Sequence, residues 1–289
     1  MTRPDGTDAA TIAVTGATGR LGGRVARRLA SLGVPQRLLV RSPDRAPRLP
    51  ATDVVQAGFA DTDEVRRALD GVRTVLMVSA EETPGRVDLH RAFVDAAASA
   101  GIAHLVYISF YGAAPDATFT LARDHWATEQ HIRGTAMAYT FLRDNLYADF
   151  LPLMVGADDV LRGPAGRGRV AAVALDDIAD AATAVLTDPD PHTGTTYELT
   201  GPQALTLDEV AVTLSRSTGR TIRYRAESLD EAYRSRQSYG APAWQVDAWV
   251  STYTAIANGE LDTVTDAVPR LTGHAATALA ALLPPSPAD

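Results

Sequence analysis

"VTGATGRLGG", residues 14–23, decides the fold, because it closes a β-branched apolar run and opens an amphipathic one. Gly16, Gly19 and Gly22 recur there at every third position. Between a strand and a helix such spacing makes a phosphate site. The first glycine allows the sharp turn, the second lets the backbone approach a pyrophosphate, and the third permits close helix packing. Helix N–H groups and the macrodipole then favour negative charge. The predicted cradle comprises Gly16, Thr18, Gly19, Arg20, Leu21 and Gly22.

Outward from this turn, short apolar runs alternate with amphipathic segments, the pattern of a parallel sheet with helices on both faces. Strands are predicted at "TIAVT", "QRLLV", "DVVQA", "TVLMVS", "HLVYIS" and "AYTFLR". Leu21, Val25 and Leu29 share one face of the first helix, and Gly33 follows as its stop. In "RVDLHRAFVDAAASAG" the inward residues are Leu89, Phe93 and Val94. The glycine-rich "LRGPAGRGRV" interrupts the alternation. "VAAVALDDIADAATAVL" then adds one more strand and a helix, with Asp176 or Asp177 as its expected N-cap. The expected class is α/β, a Rossmann-type doubly wound parallel sheet with a smaller, mainly helical C-terminal lobe. Residues 1–150 form the dinucleotide-binding region, to which 168–200 return. Residues 151–167 and 201–289 form the substrate-binding lobe, expected to lie over the strand ends.

The 289 residues, 46% hydrophobic, suffice for a substantial core. With 27 Lys plus Arg against 35 Asp plus Glu, the net charge of -8 argues against nucleic acid or an anionic membrane as partner. The chain has no cysteine, which excludes disulfides and thiolate chemistry and fits a cytoplasmic protein. No run approaches the roughly 20 apolar residues of a membrane span. "MTRPDGTDAA" reads as a flexible lead and "PPSPAD" as a polar tail. No G-x-S-x-G elbow supports a hydrolase, and His90, His104, His131, His192 and His274 lack metal-ligand spacing.

Arg41 ends the second strand 19 residues beyond Gly22. An NAD site places an acid there for the ribose hydroxyls, whereas a guanidinium suits a 2′-phosphate, so the expected cofactor is NADP(H). Arg45 is a candidate helper. Ser42, Val78, Ser79 and Ala80, near the ends of the second and fourth strands, complete the expected nucleotide contacts.

The chain resembles the atypical short-chain dehydrogenase/reductases. Within them it is similar to the NmrA-like group, which includes the bacterial type 2 NAD(P)H:quinone oxidoreductases. The resemblance rests on "TGATGRLGG", "RSPDRA", "VYISFYGA", "RDHWATEQHIRG", "YTFLRDNLY", "GRVAAVALDDIADAA" and "YTAIANGELDTVTDAVPRLTG", and so spans nearly the whole chain. It implies a Tyr-x-x-x-Lys dyad on the helix after the fifth strand, but Leu121 and His125 occupy those places. Ser109 matches the family's serine. Gly58 stands where relatives often carry an aspartate, leaving adenine to backbone groups and Phe59.

This departure narrows the chemistry. Ketone reduction passes through an alkoxide whose conjugate acid has a pKa of ~16, so a positioned acid matters. Hydride addition to a quinone leaves a phenolate-like anion near the ~10 of tyrosine, which water can protonate. The expected activity is NADPH-dependent reduction of a quinone or related conjugated carbonyl, a small aromatic molecule being the partner. His125, Tyr111 and Ser109 are the catalytic candidates. His125 is suited to bond the nicotinamide ribose or carry a proton, with packing beside Trp126 as the alternative. Adjacent helix residues point apart, so Asp124 is not expected to orient it. Arg143 reads either as a site residue or as a buried structural ion. Asn145, Tyr147, Trp244, Trp249 and Tyr253 are the expected acceptor pocket. A dinucleotide-sensing regulator without turnover and a non-redox isomerase or cyclase remain open, as does a monomer or homodimer.

Overall fold

The computed structural model describes residues 11–284; the expected lead, and all of the expected tail but Pro284, lie outside the described residues. Strands form where the apolar runs predict them: β1 Ile12–Thr15, β2 Gln36–Val40, β3 Thr52–Gln56, β4 Thr74–Met77, β5 His104–Phe110 and β6 Ala138–Asp144. β1, β4 and β5 are buried at every residue, which is why their sequences are mainly apolar rather than alternating. β7 Val160–Gly163, β8 Arg169–Val170, β9 Thr196–Leu199, β10 Leu205–Thr206 and β11 Arg223–Ala226 follow. The helices used below are α1 Arg20–Ser31, α2 Thr62–Ala68, α3 Arg86–Ser99, α4 Thr120–Arg133, α5 Leu175–Thr187, α6 Leu207–Thr218, α7 Leu229–Arg236 and α8 Ala243–Ala257.

Seven strands make the main sheet in the order β3, β2, β1, β4, β5, β6, β9. The pairs β1 with β2, β1 with β4, β2 with β3 and β4 with β5 are parallel. Phe141 N–H donates to Thr195 O and Asn145 N–H to Leu199 O, each at 3.0 Å, a constant offset that makes β6 and β9 parallel as well. The chain runs outward from β1 to β3 and returns beyond β1 at β4. The switch point of this doubly wound sheet is therefore between β1 and β4, where Gly16 and Val78 follow the strand ends.

Three local expectations change. The strand expected in "VAAVALDD" is only β8, which pairs antiparallel with β10 outside the main sheet. The seventh strand is instead β9, whose first three residues are half-buried, so its sequence carries little apolar signal. Helix α5 starts at Leu175, before Asp176 and Asp177, and both aspartates lie in its first turn rather than at its N-cap. The Leu175 N–H is taken by Asp149 Oδ2 at 2.9 Å, while Asp177 accepts from Thr277 N–H at 2.6 Å and Thr277 Oγ1 at 2.7 Å.

The chain divides into two compact units. Among the described residues the first comprises 11–109, 124–143 and 178–197, the second 110–123, 144–177 and 198–284. The first unit's core includes Leu39, Val75, Met77, Phe93, Leu105, Tyr107 and Phe141. In the second, Phe110, Phe119 and Leu121 join Leu161, Val210, Leu214, Tyr253 and Ile256. Leu121 is thus a core residue of that unit. Among the described residues no helix is long and apolar enough to cross a membrane.

A Cβ on Gly22 would lie 2.5 Å from Gly16 O and 2.6 Å from Thr15 O. These are backbone atoms, which have no rotamer to yield. Gly22→Ala is therefore expected to destabilise the fold by about 1–3 kcal/mol. The measurement is the urea midpoint; a midpoint equal to that of the wild type would show that α1 is free to move off β1.

Candidate functional site

The glycine turn has the geometry its spacing predicts. Gly16 has φ +65°, a conformation that disfavours a side chain. The Gly19 N–H closes the turn on Gly16 O at 2.8 Å. Gly19 is also the N-cap of α1, and no side chain caps that end and no acid lies in its first turn. The helix N–H groups are left for an anion.

Beside this turn lies a cavity of about 340 Å³, wholly within the first unit. It brings together Gly16, Thr18, Arg41, Gly58, Phe59, Val78, Ser79 and Ala80. Gly19, Arg20, Leu21, Gly22 and Ser42 do not line it; the first of these caps α1 and the next three build its first turn. The sequence reading missed Glu81, Thr83 and Leu89, which also face the cavity. Phe59 stacks on Phe93 with ring centroids 4.4 Å apart, so its ring is held in place. Arg41 and Glu81 are 3.6 Å apart with side chains 79% and 73% exposed, a pair weak enough for a phosphate to displace.

The wall formed by Val78, Ser79 and Ala80 is anchored by a residue that the sequence reading set aside. His90, fully buried on α3, accepts the Ala80 N–H at Nε2 (2.9 Å). Its Nδ1 lies 2.8 Å from Thr128 Oγ1, which donates its own proton to Asp124 O at 2.8 Å. The hydroxyl is committed as a donor, so His90 Nδ1 carries the proton and Nε2 accepts. Burial, and secondarily the Arg86 guanidinium, lowers its pKa to about 3, which keeps the ring neutral.

His125 is buried on α4, with Nδ1 2.9 Å from the Tyr107 hydroxyl. Burial first, then Arg86, His90 and Arg143, hold its pKa well below the usual 6.5. Asp124 pairs with Arg86 at 3.3 Å rather than with its neighbour His125. Ser109 donates to Glu129 Oε1 at 2.6 Å, and Arg143 grips the same carboxylate through Nε at 2.8 Å and Nη2 at 2.7 Å. Glu129 is fully buried and was not singled out from the sequence, although it lies four residues after His125 on the same helix face.

Of the remaining candidates, all in the second unit, Asn145 is committed to backbone: Nδ2 donates to Leu261 O at 3.0 Å and Oδ1 accepts the Leu146 N–H at 2.8 Å. Tyr147 donates its hydroxyl to Asp144 Oδ2 at 3.0 Å, while burial pushes the Asp144 carboxyl well above the usual carboxylate range. Tyr111 is half-buried. Burial raises its pKa against the opposing bond to Thr263, with Glu198 and Asp262 adding to the rise. Trp249 and Tyr253 share a cavity of about 840 Å³; Trp244 does not line it.

The family model described as NAD(P)H-binding matches residues 16–189. The chain is similar to an NAD(P)H azoreductase from Xenophilus azovorans, 35% identical over 93% of this chain and 95% of that protein. It superposes on an NADPH-dependent quinone oxidoreductase from Escherichia coli crystallised with NADPH, with TM-score 0.85, 31% identity and coverage of 93% and 97%. It also superposes on a Citrobacter sp. triphenylmethane reductase complexed with NADP(H), with TM-score 0.84, 32% identity and coverage of 93% and 98%.

The neutral histidines carry a pH dependence. Unfolded histidine takes up a proton below about pH 6.5, whereas His90 in the folded protein stays neutral down to about 3. The unfolded state then binds more protons, so stability falls as pH drops through that window. Wild type is expected to lose about 1.4 kcal/mol per pH unit more than His90→Gln between roughly pH 6 and 4.5. Denaturant titrations of both proteins give the difference; parallel pH profiles would mean that His90 is protonated in the folded state.

Proposed function

We propose that this chain, which belongs to the NAD(P)H-binding family, is an NADPH-dependent reductase of quinones or related conjugated carbonyls. The observation that carries the reading is Arg41 in one cavity with the glycine turn. Relatives named as azoreductase, quinone oxidoreductase and triphenylmethane reductase support it. The residues fit the cofactor, since an uncapped helix N-terminus and a cradle closed to any Cβ at Gly22 suit a pyrophosphate.

In this reading the turn and the first N–H groups of α1 hold the pyrophosphate, and Arg41 takes the 2′-phosphate by charge-assisted bonds. Phe59 offers adenine a fixed ring, and His90 keeps Ala80 and its neighbours in place along the cleft. Bound NADPH supplies the hydride. The chain's own task is orientation and exclusion of water, because a reduced quinone is a phenolate-like anion with a pKa near ~10 that needs no strong acid.

Proton roles follow from burial. His125, held neutral, is a poor acid and a structural partner of Tyr107. We assign donation to an acceptor oxygen to Tyr111, whose pKa burial raises, so that its proton stays on the phenol near neutrality although it is a weaker acid than a free tyrosine. Ser109 spends its proton on Glu129, so we assign it an accepting role. Trp249 and Tyr253 are the aromatic side chains we assign to the acceptor, whereas Trp244, Asn145 and Tyr147 do not line their cavity.

NADPH is expected to bind more tightly than NADH, and Arg41→Asp to close or reverse the gap in a fluorescence titration. Equal affinities in the wild type would remove Arg41 from this role. Loss of NADPH absorbance with a panel of quinones tests the activity itself, and no oxidation with any of them would sink the reading. His125→Ala is expected to lower turnover by less than about 10²-fold, the low end of acid–base effects. A loss beyond about 10⁴-fold would instead make His125 an essential acid.

A further inference from the structure

The 840 Å³ cavity lies wholly in the second unit, and its charge runs against that of the chain. Four arginines, Arg162, Arg225, Arg234 and Arg236, face it with two acids, Glu227 and Glu231, in a protein whose net charge is -8. Both acids are already engaged. Glu227 accepts from buried Arg236 at 3.1 Å. Glu231 caps α7 by accepting the Ser228 N–H at 2.8 Å and lies 3.6 Å from Arg225, a loose pair with the arginine 63% exposed. Arg162 is paired with Asp158 at 2.5 Å. Among the described residues Arg234, exposed on α7, forms no ion pair. The cavity therefore holds surplus positive charge, to which Arg234 on α7 and Arg225 on β11 contribute.

Its apolar part is equally uncovered. Tyr239 is 71% exposed and Leu153 is 68% exposed, although both line the cavity. Tyr239 meets Trp249 edge-on, with centroids 5.9 Å apart and an interplanar angle of 88°. Tyr253 is fixed beneath the Arg236 guanidinium, 5.0 Å from its ring centroid. A concave site of ~300–1,000 Å³ with aromatic walls and a few polar groups is what a small planar molecule occupies. Guanidinium groups add recognition of a flat oxyanion through paired donors.

We infer that this cavity binds a flat aromatic anion, an aryl sulfonate or aryl carboxylate, its ring against Trp249 and Tyr239 and its charge on Arg234 and Arg225. The inference does not rest on the reading above, since binding requires neither NADPH nor turnover. None of the residues lining this cavity lines the nucleotide cavity.

Equilibrium dialysis of the whole protein tests it with three probes: naphthalene-2-sulfonate, neutral naphthalene-2-methanol, and methanesulfonate, which has the charge without the ring. The aromatic sulfonate is expected to bind at least about tenfold more tightly than either of the others, the scale of one charge-assisted contact. Arg234→Glu should remove that advantage over the neutral alcohol. Tyr239→Ala should weaken both aromatic probes. Both substituted side chains are exposed, so the fold should survive, and an unchanged NADPH affinity verifies it. Equal affinity for sulfonate and alcohol, a sulfonate affinity indifferent to Arg234→Glu, or no saturable binding would each overturn the inference. If sulfonate binding behaves as expected while no quinone oxidises NADPH, the reductase reading fails and the binding site stands.

Discussion

The nucleotide end of the molecule depends on one backbone approach, in which Gly22 of α1 sits against the carbonyls of Thr15 and Gly16 where any other residue would place a Cβ. This contact ties the start of the helix to the end of β1, and it does so at the switch point of the sheet. The uncapped N–H groups of α1 therefore open where β1 and β4 part, with Arg41, Phe59 and the segment after β4 around one cavity. An anion site here needs no lysine. The chain contains none, and every cationic side chain other than histidine is an arginine.

Helix α4 shows what replaced the expected dyad. Within the first unit its inward face carries Asp124, His125, Thr128 and Glu129, and each has a partner: Arg86, Tyr107, His90, and Ser109 with Arg143. A buried charge left unpaired would cost several kcal/mol, so these contacts are obligatory once the residues are buried. The result is a helix held by polar bonds, with imidazoles kept neutral by burial rather than poised near pH 7. That arrangement suits a reaction whose product anion is a weak base and whose demand on the protein is orientation.

The positions of six of the seven main-sheet strands and the glycine turn were legible because each depends on neighbours close in sequence. β9 was not, since an edge strand with three half-buried residues lacks the run of apolar side chains that marks β1 or β5. The aspartate pair in the first turn of α5 looked like a cap because acids favour helix starts; the actual partner of the Leu175 N–H, Asp149, is 26 residues upstream. His90 and Glu129 looked unremarkable as letters, and only their burial turned them into organising residues.

The sequence by itself determined the α/β class, the glycine turn, the place of an arginine rather than an acid after β2 and the absence of a Tyr-Lys pair, because residue spacing and charge act over a few residues. Only the tertiary structure decided which tautomer His90 holds, that Ser109 and Arg143 converge on Glu129, that Asn145 is spent on Leu261 116 residues away, and that Trp249 and Tyr253 share a cavity with arginines. Those facts rest on which groups are removed from water together. Desolvation is a property of the packed chain, and no local pattern of residues carries it.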